Sequence, residues 1–171
     1  DDDAEYQSFL QRVIGYSASG LTNEHVLFFF FGSGSNGKSV FINTIHKVMG
    51  DYAAVASMET FTQSKFEKHP TDLAMLQGAR LVFAQETESG RAWAESKIKS
   101  MTGGDPITAR YMRQDFFTFE PKFKLLIAGN HKPRIRHADE AMRRRLVLLP
   151  FARRFSAEER DLNLQEKLIE E

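Results

Sequence analysis

Apolar residues recur along this chain in two patterns, one typical of helices and the other typical of buried strands. Between Tyr6 and Ile14 they return every three or four positions, which predicts an amphipathic helix, and Gly15 is placed to end it. Because strands buried on both faces lack polar alternation, longer apolar runs predict a parallel sheet covered by helices, and hence an α/β fold. Such runs occur at 26–31, at 81–84 and, interrupted only by Lys124, at 123–128, and a further run follows near the end of the chain.

The segment between the first predicted strand and the next helix is rich in glycine. It matches the pattern G-x-x-x-x-G-K-[ST] and leads into a helical stretch at 40–49 that Gly50 ends. Such a loop wraps phosphates with backbone N–H groups at a helix N-terminus, while Lys38 reaches the terminal phosphates and the hydroxyl of Ser39 binds Mg²⁺. The pattern predicts a nucleoside triphosphate site, and the alternative is a Gly/Ser-rich turn that ends in Lys-Ser by chance. The predicted site residues are Gly32, Ser33, Gly34, Ser35, Asn36, Gly37, Lys38, Ser39 and Val40.

Carboxylates follow the second apolar run. Glu86 is the first choice for a group that holds the Mg²⁺ water shell or orients an attacking water, and Glu88 is the second. Gln85 occupies the first polar position, where an acid is expected, so the two acids share the work in a way the sequence does not assign. We expect this strand to neighbour the first one, and the alternative is an exposed acidic turn.

The third apolar run leads into Gly129 and Asn130. Ligands of open α/β sheets bind where the strands end, so the Asn130 amide is predicted to contact the γ-phosphate or the attacking water. A lone Asn in a turn means little, because Asn is an ordinary turn residue. The prediction therefore depends on the other two strand ends.

Formal charge is balanced overall but segregated along the chain. The 23 basic and 23 acidic residues divide into 7 against 12 over 1–96, 14 against 5 over 97–154, and 2 against 6 over 155–171. The basic segment predicts contact with phosphates, and a solvated basic face is the alternative.

Absence of Cys excludes disulfides, thiolate zinc sites and thiol nucleophiles. With no apolar run of membrane length and no leader, we expect a cytoplasmic protein at the nucleoid, with no membrane partner.

Three consecutive arginines, Arg143, Arg144 and Arg145, precede a final apolar run. A guanidinium stays ionised and offers a fork of donors, which suits the charge that develops on a transferred phosphoryl group. The alternative is a solvated helix end.

The order of these motifs resembles that of the superfamily-3 helicases, and within them the poxvirus-type primase–helicase NTPases of phages and plasmids. The likeness extends over the chain and includes 9–16, the glycine loop, 102–111, 128–135, the arginines and Pro150-Phe151. It implies a modified AAA+ core, a three-layer P-loop NTPase with a mostly parallel sheet and an inserted β-hairpin. It also implies a homo-oligomeric, hexameric ring that hydrolyses ATP with Mg²⁺ to move on single-stranded DNA, with a primase domain on the full-length chain.

The same resemblance implies roles by position. Lys38 and Ser39 take the phosphates and Mg²⁺, Glu86 is the acid and Asn130 is the sensor. Arg144, with Arg143 as second choice, is the finger inserted into the adjacent subunit's site.

The basic segment also contains a predicted hairpin, because 107–111 and 116–119 can pair as antiparallel strands. The family's hairpin has this place in the order and lines the channel of the ring. Its loop would project Arg110, Tyr111 and Arg113 toward single-stranded DNA, with cations on the backbone and the aromatic ring on bases. We expect three phenylalanines of the hairpin to be core residues: Phe116, Phe117 and Phe119.

The domain organisation predicted from these elements has three parts. A helical lead-in spans 1–24, the ATPase core spans 25–155, and 156–171 begins a truncated C-terminal helical region, so we expect a fragment of a longer protein. Two other functions stay open: a nucleotide-dependent DNA-binding or assembly module without efficient hydrolysis, favoured by Gln85, and a P-loop small-molecule kinase.

Overall fold

The computed structural model describes residues 3–64, 70–86, 92–131, 135 and 139–171. Six α-helices are present among them: α1 (Ala4–Ser19), α2 (Lys38–Met49), α3 (Thr71–Ala74), α4 (Glu95–Gly103), α5 (Glu140–Arg143) and α6 (Leu164–Glu170). The strands are β1 (Leu27–Phe31), β2 (Ala53–Val55), β3 (Leu81–Gln85), β4 (Ile107–Ala109), β5 (Phe117–Phe119), β6 (Lys124–Gly129) and β7 (Leu146–Pro150). Short 3-10 turns cover Gly50–Tyr52 and Met58–Phe61. No helix of the described part of the chain is long and apolar enough to cross a membrane.

Five strands form one parallel sheet in the order β2-β3-β6-β1-β7. The α/β fold with a mostly parallel sheet, predicted from the continuous apolar runs, is therefore confirmed. The parallel arrangement gives the sheet a carboxyl edge, where all five strands end, and an amino edge, where they begin.

Alternate side chains of the central strands enter two separate cores, one on each face of the sheet. Phe29 belongs to the core that also contains Trp93 and Met101 of the α4 side, whereas Phe28 and Phe30 belong to the core beneath α1 and α2. Because both faces are covered, every position of β1 is apolar, and the run of four phenylalanines is explained by packing. The result is three layers, with the sheet in the middle.

The first helix is longer than its sequence pattern predicts. Gly15 lies inside α1, and the helix ends at Gly20, which adopts the left-handed conformation with φ of 72°. An internal glycine costs about 1 kcal/mol relative to alanine, but the next turn buries Ser17 against the sheet, and its hydroxyl donates to the Val13 carbonyl at 2.7 Å. The prediction of a helix end at Gly15 was wrong because tertiary packing outweighed local propensity.

The predicted hairpin is present as β4 paired antiparallel with β5, outside the main sheet. The strands are shorter than expected, and the loop between them includes Arg113 at a φ of 61°. Phe117 and Phe119 are partly buried, but Phe116 is 61% exposed, so its assignment to the core was wrong. Phe116 lies in the loop between the strands, where its ring packs against Arg110 and not against the sheet.

Candidate active site

The glycine loop joins β1 to α2 at the carboxyl edge, in the strand–loop–helix context that the sequence predicts. Gly34, Ser35 and Gly37 have φ values of 89°, 51° and 79°, so the backbone at these positions curves in the left-handed sense. Gly37 precedes α2 without a side-chain cap, whereas α1 and α5 begin with capping aspartates, Asp3 and Asp139. The N-cap residue of α2 therefore supplies no side-chain acceptor, and the free N–H groups of the first turn beyond Lys38 suit an anion.

Asn36 holds the loop to the segment that follows β7. Its side-chain amide donates to the Phe151 carbonyl at 2.9 Å, and its oxygen accepts from the Lys38 backbone N–H at 3.3 Å. A Cβ at Gly32 would lie 2.3 Å from both partners of the first bond, so this position accepts only glycine. The shape of the loop is therefore fixed without any ligand.

Lys38 points from the loop toward the end of β6. It is buried, and its ammonium donates to the carbonyls of Gly129 at 2.5 Å and Gly32 at 3.3 Å, and to Asn130 Oδ1 at 3.4 Å. Burial lowers the pKa of Lys38. None of these three acceptors carries a charge, so an incoming phosphate would offer this cation a stronger partner than it has now.

A pocket of about 170 Å³ opens beside this lysine and collects the predicted site residues from three elements. Ser39 comes from α2, Gln85 and Glu86 from the end of β3, and Asn130 from the end of β6. The sequence predicts that these side chains meet, and the structure brings them together. The pocket continues toward β2 over four residues that the sequence motifs do not include: Ile42, Asn43, His46 and Val55.

Glu86 lies one strand further from the glycine loop than the sequence predicts. β3 does not pair with β1, because β6 lies between them, so the expectation of neighbouring strands was wrong.

Burial raises the pKa of Glu86, while the indole N–H of Trp93 and the charge of His131 lower it. The carboxylate crosses the end of β6, where a Cβ on Gly129 would lie 2.9 Å from Glu86 Oε2 and 2.6 Å from the Phe29 ring. Glycine at 129 therefore makes room for the acid.

Glu88, the second-choice acid, lies outside the described residues. Gln85 is the last residue of β3 and is exposed at the pocket wall, so an amide stands where the strand ends. The described residues contain no group of three or more His, Asp or Glu side chains placed to hold a metal ion. That arrangement still fits Mg²⁺ bound with a nucleotide, because this ion needs only one or two protein oxygens beside phosphates and water.

The three consecutive arginines lie at the amino edge, opposite the pocket. Arg145 is buried, and its side chain donates to Thr102 Oγ1 at 3.2 Å and to the Ala141 carbonyl at 2.8 Å, so it supports the fold. Its backbone carbonyl accepts from the Leu27 N–H at the start of β1. Arg143 and Arg144 are exposed at the end of α5. Since β1 and β7 run the length of the sheet between them and the glycine loop, neither side chain is placed to reach the pocket of its own chain.

The hairpin residues differ in how far they reach solvent. Arg113 is exposed, but Arg110 is half-buried, with its guanidinium 4.8 Å from the centre of the Phe116 ring. Tyr111 stacks on Phe117 and donates its hydroxyl to the Ala74 carbonyl at 3.2 Å. Aromatic neighbours thus hold the side chains of Arg110 and Tyr111, although Tyr111 is still 39% exposed, and contact of the three residues with DNA stays a prediction.

Comparisons with known proteins give relatives among large viral proteins. The chain is 27% identical over 155 residues to a protein of Acanthamoeba polyphaga mimivirus named "Putative helicase", and 30% identical over 160 residues to "Putative helicase 022R" of Frog virus 3. Each match covers 90% of this chain, which spans 16% of the length of each relative.

A solved structure shares the fold. The C-terminal region of NrS-1 aligns with 92% of this chain and 37% of its own length, with a TM-score of 0.66 and 11% sequence identity. At that identity the likeness concerns the fold alone. The family model described as a family of unknown function, DUF5906, matches residues 30–145, from the end of β1 to the third arginine. This chain therefore belongs to the DUF5906 family.

Proposed function

We propose that this chain is the ATP-hydrolysing motor domain of a superfamily-3, AAA+ type helicase that moves on single-stranded DNA. The observation that carries the proposal is the convergence of Lys38, Ser39, Glu86 and Asn130 on one pocket beside an uncapped glycine loop. The names of the viral relatives support the helicase assignment. Because the chain spans a small part of those proteins, the substrates and the primase activity of a full-length protein are proposals too.

The residues of the pocket divide the work of phosphoryl transfer. Lys38 exchanges its neutral acceptors for the terminal phosphates, and the hydroxyl of Ser39 becomes a ligand of Mg²⁺. Glu86 holds the water shell of the metal or orients the attacking water. The Asn130 side-chain amide forms a hydrogen bond with the γ-phosphate or with the attacking water. Bound Mg²⁺ supplies positive charge that neutralises the phosphates during transfer.

One element of that chemistry is missing from the described part of the pocket, namely a cation on the outer side of the γ-phosphate. The exposed arginines lie at the far edge of the sheet, so we propose that Arg144, with Arg143 second, acts on the pocket of an adjacent subunit in a hexameric ring. An arginine supplied in this way accelerates phosphoryl transfer by roughly 10³-fold or more. ATP hydrolysis should then rise more than linearly with protein concentration and increase with single-stranded DNA.

Mixing two inactive variants tests this arrangement. Lys38→Ala inactivates the pocket that receives the arginine of the adjacent subunit. Arg144→Ala removes the arginine that a subunit supplies to its neighbour. In a mixed ring the intact pocket of an Arg144→Ala subunit receives Arg144 from its Lys38→Ala neighbour, so part of the ATPase activity should return. Failure of rescue, with both variants shown to assemble, would contradict a finger supplied in trans.

A second function is favoured by Gln85. With an amide at the end of β3, the chain would bind nucleotide as an assembly or DNA-binding module without efficient hydrolysis. Release of phosphate from ATP under ring-forming conditions distinguishes the two functions, since the module would bind ATP and release none.

A further inference from the structure

Trp93 is the single tryptophan of the chain, and it is fully buried beside the candidate site. Its backbone is held by a short bridge to Thr62, with flanking hydrogen bonds from Ala94 N–H to Phe61 and from Gln63 N–H to Ala92. Its ring packs on Phe29 at 5.6 Å between centroids. The indole is therefore fixed in position by contacts on two sides.

The polar atom of this ring lacks a proper partner. Trp93 Nε1 is buried and has no hydrogen-bond partner among the described residues. A buried donor left in this state loses its hydration without gaining a partner, and native proteins contain few such groups. The Glu86 carboxylate lies on the same side of the pocket, because its Oε2 and the Phe29 ring flank Gly129 and the Phe29 ring packs on the indole. In agreement with this placement, the indole N–H lowers the pKa of the acid.

Glu86 is enclosed on the side where Trp93 lies. The position of a Cβ on Gly129 is within 3 Å of both Glu86 Oε2 and the Phe29 ring, so the acid and the phenylalanine flank the same backbone atom. Phe29 in turn contacts the indole. The four residues thus form one contiguous group behind the pocket.

We propose that Trp93 is a positioning residue for Glu86. The unpaired indole N–H is the donor available to the inner side of the Glu86 carboxylate, and donation from it keeps the outer oxygen facing the pocket. This inference rests on the proposed function, in which Glu86 orients the attacking water or the metal-bound waters. A carboxylate free to rotate would spend part of its time turned away, and placement errors of this kind reduce the rate of reaction more than the binding of substrate. Trp93 touches no reacting atom itself.

The contact can be tested without any enzymatic activity, because a single tryptophan gives a single indole N–H signal in a ¹H–¹⁵N spectrum. Glu86→Ala should move that signal by several line widths, toward the position of a weaker hydrogen bond. Gln85→Ala is the matched control, since residue 85 lies on the other face of the same strand end, and it should leave the signal nearly in place. An unmoved signal in Glu86→Ala would overturn the proposal.

The functional consequence is tested with Trp93→Phe, which retains a ring against Phe29 and removes the N–H. The kcat for ATP hydrolysis should fall about tenfold with KM for ATP nearly unchanged. In the Glu86→Gln background the same change should cost much less, since the two residues act as a unit. Equal losses in both backgrounds would mean that Trp93 only supports the fold. Absence of ATPase activity from the wild-type chain would instead overturn the proposed function, so the two failures are distinguishable.

Discussion

Two buried lysines lie at opposite edges of the same sheet, and their surroundings are opposite as well. Lys38 at the carboxyl edge is 6% exposed and donates to three oxygens. Lys124 at the amino edge is 2% exposed, and its ammonium has no hydrogen-bond partner among the described residues, only the Tyr16 ring at 4.1 Å. Burial, and to a lesser degree the charge of Arg80, lowers the pKa of Lys124 to about 8.

The comparison shows that burial of a lysine does not by itself mark a functional site. At the carboxyl edge, the acceptors of Lys38 are neutral groups next to an open pocket, so a phosphate can replace them. At the amino edge, Lys124 is closed in by packing and has no acceptor among the described residues that a ligand could displace. Changes at the first edge should therefore affect activity, and changes at the second edge should affect stability.

The largest effect is expected from Lys38→Ala. ATP turnover should fall by at least about 100-fold, because the ammonium that engages the terminal phosphates is removed. The melting temperature should change little, since the lysine contacts only neutral acceptors at the rim of the sheet. Lys47→Ala, an exposed lysine on the same helix, is the control, and steady-state phosphate release is the measurement. Wild-type turnover in Lys38→Ala would remove the nucleotide site from the carboxyl edge.

A decrease of similar size, also about 100-fold, is expected from Glu86→Gln, with ATP binding retained. The amide keeps the shape of the side chain but not the charge that engages water or the metal. Equilibrium binding of a labelled ATP analogue, together with phosphate release, separates the two effects. If Glu88→Gln abolishes hydrolysis and Glu86→Gln does not, the ranking of the acids is reversed.

At the amino edge, Lys124→Met should stabilise the protein by about 2 kcal/mol at pH 7. With a folded-state pKa of about 8 against an ordinary 10.5, the unfolded chain binds more protons between these values, so the stability of the wild type rises with pH across that interval. The variant should lack this rise. Denaturant melts at pH 7 and 9.5 measure it, with Lys122→Met as the exposed control. A destabilised Lys124→Met protein at pH 7 would show that the Tyr16 contact outweighs desolvation.

The smallest effect is expected at the hairpin, which emerges from the amino edge. Replacing both Arg110 and Arg113 by Ala should weaken single-stranded DNA binding and reduce the salt slope by ~0.7 for each phosphate that is no longer neutralised. Since Arg110 is held against Phe116, Arg113→Ala alone should account for most of the change. Basal ATPase activity should survive, which again separates the two edges. An unchanged slope in an assembled ring would place the DNA path elsewhere.

The parts of the fold that the sequence predicts are those governed by local rules. The run of four phenylalanines predicts a strand buried on both faces, and G-x-x-x-x-G-K-S predicts the loop that follows, because each needs only its own residues. The end of α1 and the exposure of Phe116 depend on which surfaces pack against them, and no spacing contains that information. The insertion of β6 between β1 and β3 is likewise a matter of long-range pairing.

The candidate site shows the same division. Residues with charged or amide groups at strand ends, such as Glu86 and Asn130, can be identified in the sequence because their chemistry singles them out. Gly129 makes room for the acid, and Trp93 is the residue that we propose positions it. Both resemble ordinary core or turn residues in the sequence. A glycine at the end of a buried strand, directly before a polar residue, is the one signal that could have identified the first of them.

The buried Arg145 couples two exposed surfaces of the subunit. Its guanidinium joins the last turn of α4, which leads into the hairpin, to the carbonyl of Ala141 in α5, which ends at the exposed Arg143. In the ring that we propose, a subunit whose arginines contact the nucleotide of its neighbour would have one buried side chain connecting that contact to its own hairpin.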